Sequence, residues 1–142
     1  MDAHELFMRQ GLNCAEATLA GLTKTRKYSS LASGFGGGIG GTHGTCGAVT
    51  GAVMGMGCRL RVREEDPHLP YSEFSQQIRT FLERFEADHG SIWCRHLLAL
   101  DAFPDAESAI KYFKSPGRKE RCGAFVAGAA EIAEDLLKEV TD

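Results

Sequence analysis

At 142 residues, the chain is long enough to bury one hydrophobic core, and no repeat or linker divides it, so we expect a single domain over residues 1–142. Apolar residues make up 43% and charged residues 25%, which is ordinary for a globular protein. The net charge of −3 and the scattered Lys and Arg residues argue against nucleic-acid binding and against attachment to an anionic membrane.

The N-terminal residues do not resemble a secretory signal. Met1-Asp2-Ala3-His4-Glu5 carries acids where a signal would carry positive charge, and no apolar stretch follows. The longest weakly polar run, from Cys46 to Cys58, is too short and too rich in glycine to span a bilayer. We therefore expect a cytoplasmic protein. In a reducing compartment, its five cysteines are more often ligands, redox groups or packing residues than structural disulfides.

Helical periodicity dominates the sequence, and alternating strand patterns are scarce. The fourth predicted helix is the clearest, because Ser72 can cap its start, an apolar stripe runs from Phe74 to Phe85, and Gly90 can end it. The last is nearly as clear, with three-four spacing of apolar residues from Cys122 to Val140. In chain order the predicted helices cover residues 3–10, 14–22, 46–60, 72–89, 92–100, 105–113 and 122–140. The fold class is therefore all-α, a single-domain bundle of five to seven helices.

Glycine is concentrated in two places. The run from Gly34 to Gly41 cannot favour a helix, because each glycine loses backbone entropy there, so it predicts a loop. Part of this run matches G-x-G-x-x-G, but no strand precedes it, and we expect it to wrap a site rather than bind a dinucleotide. In the third helix, Gly47, Gly51 and Gly55 leave one face bare, which favours close packing of another helix.

Four of the five cysteines are predicted to lie in the first turn of a helix. Asn13 can cap the helix that begins at Cys14, Thr45 the helix that begins at Cys46, and Ser91 the helix that contains Cys94. Pro116-Gly117 breaks the chain shortly before Cys122. The partial positive charge of a helix N-terminus lowers a cysteine pKa and makes the sulfur a better nucleophile or metal ligand. The alternative is four small buried packing residues. We favour one shared site formed by the candidate residues Cys14, Cys46, Cys94 and Cys122.

Two further residues lie near these positions. Cys58 follows Cys46 by twelve residues, which on a continuous helix places it ~18 Å away, so we interpret it as a packing residue. His43 precedes Cys46 by three residues and could act as a ligand or a proton acceptor. Cys46 itself combines a helix start with the glycine loop, and the sequence therefore predicts a lowered pKa for its thiol.

Three segments and two single cysteines carry a resemblance to a known family. They are Asn13-Cys14-Ala15-Glu16-Ala17, Gly34-Phe35-Gly36-Gly37-Gly38-Ile39-Gly40, Cys46-Gly47-Ala48-Val49-Thr50-Gly51, Cys94 and Cys122. Together they resemble the C_GCAxxG_C_C family, whose members have an inferred redox role. The similarity covers nearly the whole chain, and all four family cysteines have counterparts. Thr45 stands where the family pattern has a glycine. The resemblance implies a redox site at these four cysteines.

Two functions fit a four-cysteine site. In the first, a thiol pair cycles through a disulfide, as in an oxidoreductase, with a small thiol or disulfide substrate. In the second, the four thiolates hold an iron–sulfur cluster or Zn, and the protein exchanges electrons with a partner or only binds metal. A purely structural role for the cysteines is the third alternative. The chain could also form a homodimer.

Overall fold

The computed structural model describes residues 1–61 and 69–141, and these residues are mostly helical. They contain no strand, only an isolated antiparallel bridge between Thr45 and Trp93. The α-helices are α1 (Ala3–Arg9), α2 (Cys14–Thr23), α3 (Gly47–Leu60), α4 (Tyr71–His89), α5 (Cys94–Leu97), α6 (Ala106–Phe113) and α7 (Pro116–Thr141), with 3-10 segments at Ser29–Phe35 and Leu100–Ala102. The predicted all-α helical bundle is confirmed.

Local capping explains several helix boundaries. The side chain of Asn13 accepts a hydrogen bond from Glu16 N, and the Glu16 carboxylate accepts one from Asn13 N, so a capping box starts α2. Asp105 caps α6 through Ser108 N. Gly90 ends α4 in the left-handed region, with φ of 95°, as predicted. These ends depend on residues within one turn, which is why the sequence predicts them well.

Two predicted helices differ from the structure by more than one residue at an end. The helix expected over 92–100 is the single turn α5, and Ser91 accepts a hydrogen bond from Trp93 N instead of capping a longer helix. Pro116 does not break the chain but begins α7, since proline suits the first helical position, where an N–H would have no helical partner. Ser115 Oγ caps this helix through Arg118 N. Cys122 consequently lies in the second turn of α7, not the first.

The core forms where α2 packs against α3 and both contact α7. The bare face of α3 allows this approach. A β-carbon added at Gly51 would lie 2.5 Å from the carbonyl oxygen of Ala15, and one at Gly55 would lie 2.8 Å from Leu22 Cβ. The predicted role of the glycine stripe in close helix packing is therefore confirmed. On the other side of the core, Phe81 and Phe85 of α4 are fully buried.

None of the helices in the described ranges combines the length and the apolar character that a bilayer crossing demands.

Candidate functional site

The four predicted cysteines converge on one small cavity. Cys14 comes from the first residue of α2, Cys46 from the residue that precedes α3, Cys94 from the first residue of α5 and Cys122 from α7. All four line the same cavity of about 30 Å³, which Gly37, Gly38 and Gly47 also line. This volume holds about one or two waters and excludes an organic substrate. The predicted single cluster is present.

Backbone pairing fixes the two most buried cysteines. Cys46 N donates to Ile92 O at 2.8 Å, and Cys94 N donates to Gly44 O at 2.7 Å, on either side of the Thr45–Trp93 bridge. The segment before α3 is thereby joined to the segment before α5. These bonds bring together two cysteines that are 48 positions apart in the sequence.

Glycine allows the backbone to approach the sulfurs. A β-carbon at Gly47 would collide with Cys14 Sγ and would lie 3.0 Å from the carbonyl oxygen of Phe35. A β-carbon at Gly38, where φ is 73°, would collide with the backbone of His43 and Gly44. The glycine loop, residues 34–41, therefore forms one wall of the cavity, as the sequence predicts, and Cys14 Sγ lies against the start of α3.

Burial divides the four thiols into two kinds. Cys46 and Cys94 are each 7% exposed, whereas Cys14 and Cys122 are half-buried. Burial, with the charge of neighbouring Cys14 second, raises the pKa of the Cys46 thiol far above its ordinary value. Burial and neighbouring Cys122 raise the pKa of Cys94 to about 12. These two thiols are therefore protonated at neutral pH.

The lowered pKa predicted for Cys46 is wrong. The N–H groups of Ala48 and Val49 at the start of α3 do lower it, as the prediction assumed. Desolvation outweighs them, because the sulfur is enclosed among three other cysteines, apolar side chains and the glycine loop. Cys46 also immediately precedes α3 and does not lie in its first turn, where the sequence predicted it.

Arg118 belongs to the site, although its sequence position did not single it out. Burial raises the pKa of Cys122, and a hydrogen bond from Arg118 one helical turn earlier on α7 counteracts this. Arg118 Nε also donates to Phe113 O, and its guanidinium carbon lies 4.4 Å from the centre of the Phe113 ring. The spacing of four residues would have revealed the Arg118–Cys122 contact had the start of α7 been placed at Pro116.

His43, which the sequence left open as a ligand or proton acceptor, lies beside Cys94. Its Nδ1 is 3.8 Å from Cys94 Sγ, and its ring centre is 5.1 Å from that of Phe113. The backbone at His43 has φ of 63° and is held by Arg95, whose backbone N and Nε both donate to His43 O. The imidazole can thus accept or donate a proton at a buried thiol.

A family model described as "Putative redox-active protein (C_GCAxxG_C_C)" matches residues 12–136. This range includes all four cysteines of the cavity and most of the 142-residue chain. The chain belongs to the C_GCAxxG_C_C family. No curated protein and no solved structure matches it. The family resemblance inferred from the residues is confirmed. The four cysteines on which that resemblance rested all line the cavity.

Cys58, the fifth cysteine of this C_GCAxxG_C_C protein, lies outside the cavity. The unbroken α3 carries it three turns beyond Cys46, where it packs against a separate cluster of Ala15, Leu19 and Ala32. Its predicted separation from the site is confirmed, since the glycines of α3 do not interrupt the helix.

The alternative prediction for the C_GCAxxG_C_C cysteines was a cluster or a zinc ion. Across residues 1–61 and 69–141, no three or more His, Cys, Asp or Glu side chains are grouped in a way that could hold a metal ion. The donor arrangement thus gives the metal alternative no support.

Proposed function

We propose that the protein is a thiol–disulfide redox protein in which Cys14 and Cys46 form one working pair, and Cys94 and Cys122 form a second. The observation that carries this proposal is the convergence of four reduced cysteines on one cavity too small for an organic substrate. The proposed pairing is based on the electrostatic effects of the cysteines on one another. Among the cysteines, Cys14 has the strongest electrostatic effect on Cys46, and Cys122 has the strongest effect on Cys94.

Cys14 is the sulfur that meets a substrate. It is half-buried, and it lines both the cysteine cavity and an open groove on the protein surface. The other three cysteines line the cavity but not this groove. An external disulfide can therefore reach Cys14 first, and Cys46 lies behind it to complete the exchange.

The exchange balances as a two-electron reaction. The Cys14 sulfur attacks one sulfur of an external disulfide, the external S–S bond breaks, and one half leaves as a thiol with a proton from the protein. Cys46 then attacks the mixed disulfide, a Cys14–Cys46 bond forms, and the second half leaves with the second proton. The protein dithiol is oxidised and the external disulfide is reduced to two thiols. A dithiol that runs the same steps in reverse restores the protein, as does an electron-transfer partner that supplies two electrons while the two sulfurs take up two protons.

The second pair has two polar neighbours. His43 Nδ1 faces Cys94, and Arg118 donates to Cys122. The imidazole can take the proton of Cys94 as that sulfur reacts, and the guanidinium offsets part of the rise that burial causes in the pKa of Cys122. We infer that Cys94 and Cys122 form a second disulfide or pass electrons to the first pair within the cavity. Such cycling suits a cytoplasmic protein, where reducing thiols keep the resting site reduced.

Disulfide mapping tests the proposal. Protein purified without oxygen is treated with a small excess of disulfide, its remaining thiols are alkylated, and its peptides are analysed by mass spectrometry. We expect a Cys14–Cys46 linkage, then a Cys94–Cys122 linkage, both reversed by dithiothreitol. Metal analysis of the same sample should show substoichiometric iron and zinc. Stoichiometric metal, or linkages only between protein molecules, would contradict the proposal.

A further inference from the structure

We infer that the groove outside Cys14 binds a small disulfide that carries negative charge, with Arg118 and Lys119 as the cations that attract it. This inference rests on the proposed thiol–disulfide function and adds the chemical class of the substrate. The groove is defined by Phe7, Asn13, Cys14, Phe113, Arg118 and Lys119, together with residues of the glycine loop.

The groove has the size and position of a substrate site. Its volume is about 410 Å³, within the range of ~300–1,000 Å³ typical of small-molecule sites. It shares Cys14, Gly37, Phe113 and Arg118 with the cysteine cavity. A ligand in the groove therefore lies directly outside the thiol that begins the exchange, while the inner cavity admits only the sulfur atoms.

The charge of the groove is opposite to that of the whole protein. The chain has a net charge of −3, but the described residues that line the groove include two cationic side chains and no Asp or Glu. An acid next to this lining is Glu16, whose two carboxylate oxygens accept hydrogen bonds from Asn13 N and Ser33 Oγ, two residues that line the groove. A local positive field on an acidic protein favours an anionic ligand over a neutral or cationic one.

Both cations are held in place by aromatic rings of the groove. The Arg118 guanidinium lies over Phe113, and Lys119 Nζ is 5.5 Å from the centre of the Phe7 ring. The two residues are neighbours at the start of α7, so they project from one rigid element. A carboxylate on either side of a disulfide can pair with one of them while the S–S bond faces Cys14. An uncharged disulfide of the same size lacks this attraction.

The test compares three disulfides that differ in charge: glutathione disulfide (anionic), 2-hydroxyethyl disulfide (neutral) and cystamine (cationic). The reduced protein is mixed with each at low ionic strength, quenched and alkylated, and the rate of thiol loss is measured. We expect glutathione disulfide to react fastest, and its advantage over cystamine to shrink as salt screens the charges. In Lys119→Glu the glutathione-to-cystamine rate ratio should fall by about fivefold or more, because the local charge changes by two units.

Lys138→Glu is the matched control. It makes the same change of charge on the same helix, but ~28 Å farther along α7. Its rate ratio should stay near that of the original protein, and circular dichroism should show that both variants are folded. Lys119→Gln, which removes the charge without reversing it, should have an intermediate ratio.

The outcomes separate the inference from the function on which it depends. If all three disulfides oxidise the protein at similar rates, or if Lys119→Glu keeps the original ratio, the anionic substrate class is wrong and the thiol–disulfide function stands. If none of the disulfides produces an intramolecular linkage, the proposed function itself fails and the inference fails with it.

Discussion

The close packing of α3 on α2 depends on Gly51, and Gly51→Ala should reveal its energetic value. The added β-carbon would meet the Ala15 carbonyl oxygen at 2.5 Å and its carbonyl carbon at 3.1 Å. These are backbone atoms that no rotamer change can move, so the two helices must separate. We expect this to cost ~3 kcal/mol of folding free energy, the upper end of the usual cost of inserting a methyl group into a packed core. Alanine recovers ~1 kcal/mol of helix propensity. The free energy of unfolding should therefore fall by about 2 kcal/mol.

Gly57→Ala in the same helix is the control. Among the described residues, a β-carbon there would have only Phe74 Cζ nearby, at 3.8 Å, which is an ordinary contact. This variant gains the propensity without the collision, so it should be more stable than the original protein by about 1 kcal/mol. Urea unfolding followed by circular dichroism measures both values under reducing conditions. If Gly51→Ala were as stable as Gly57→Ala, the glycine stripe would not be what lets the two helices approach.

Three further predictions concern the cysteines. Burial raises the pKa of Cys94 in the folded protein to about 12, so the unfolded chain releases that proton at lower pH. The free energy of unfolding should therefore be level below pH ~8 and fall above pH ~9. In Cys94→Ala this fall should be less steep. Urea unfolding between about pH 8 and 10 measures this, and an equal dependence of the unfolding free energy on pH in the original protein and in Cys94→Ala would contradict it. Cys58→Ala should keep reversible thiol oxidation and lose about 1 kcal/mol of stability. Cys46→Ala should lose the Cys14–Cys46 linkage. If both variants lost reversible thiol oxidation equally, Cys58 would belong to the site. Gly47→Ala should displace Cys14 Sγ and lower the yield of that linkage in peptide mapping, and an unchanged yield would show that Cys14 does not need this contact.

The parts of the fold that the sequence predicted depend on short-range chemistry. Asn13 and Glu16 form their capping box within one turn, and Gly90 ends α4 through its own backbone conformation. The four-cysteine site was also predicted, because helix starts and the family pattern indicated the same residues. The 3-10 helix at Ser29–Phe35 was missed, since small polar residues there give no helical periodicity.

The parts that were missed depend on contacts between distant segments. The bridge between Thr45 and Trp93 places His43 beside Cys94, and no local pattern reveals that pairing. The lowered pKa of Cys46 is predicted from its helix terminus, but burial among the surrounding elements, with the charges of Cys14 and Cys122, raises it. Local electrostatics can be inferred from a sequence, whereas desolvation is known only when the surrounding elements are placed.

The wide spacing of the cysteines along the chain has a thermodynamic consequence. Cys14 and Cys46 are about 30 residues apart and belong to different helices, so a bond between them would close a long loop and remove ~4 kcal/mol of chain entropy from the unfolded state. By linkage, forming that bond must be more favourable in the folded protein than in the unfolded chain by the same free energy. Each ~1.4 kcal/mol of this difference lowers the reduction potential of the disulfide by about 30 mV. The packing of α2 on α3 would thus shift the site towards the disulfide. A mutation that loosens this packing would make the bond easier to reduce without touching either sulfur.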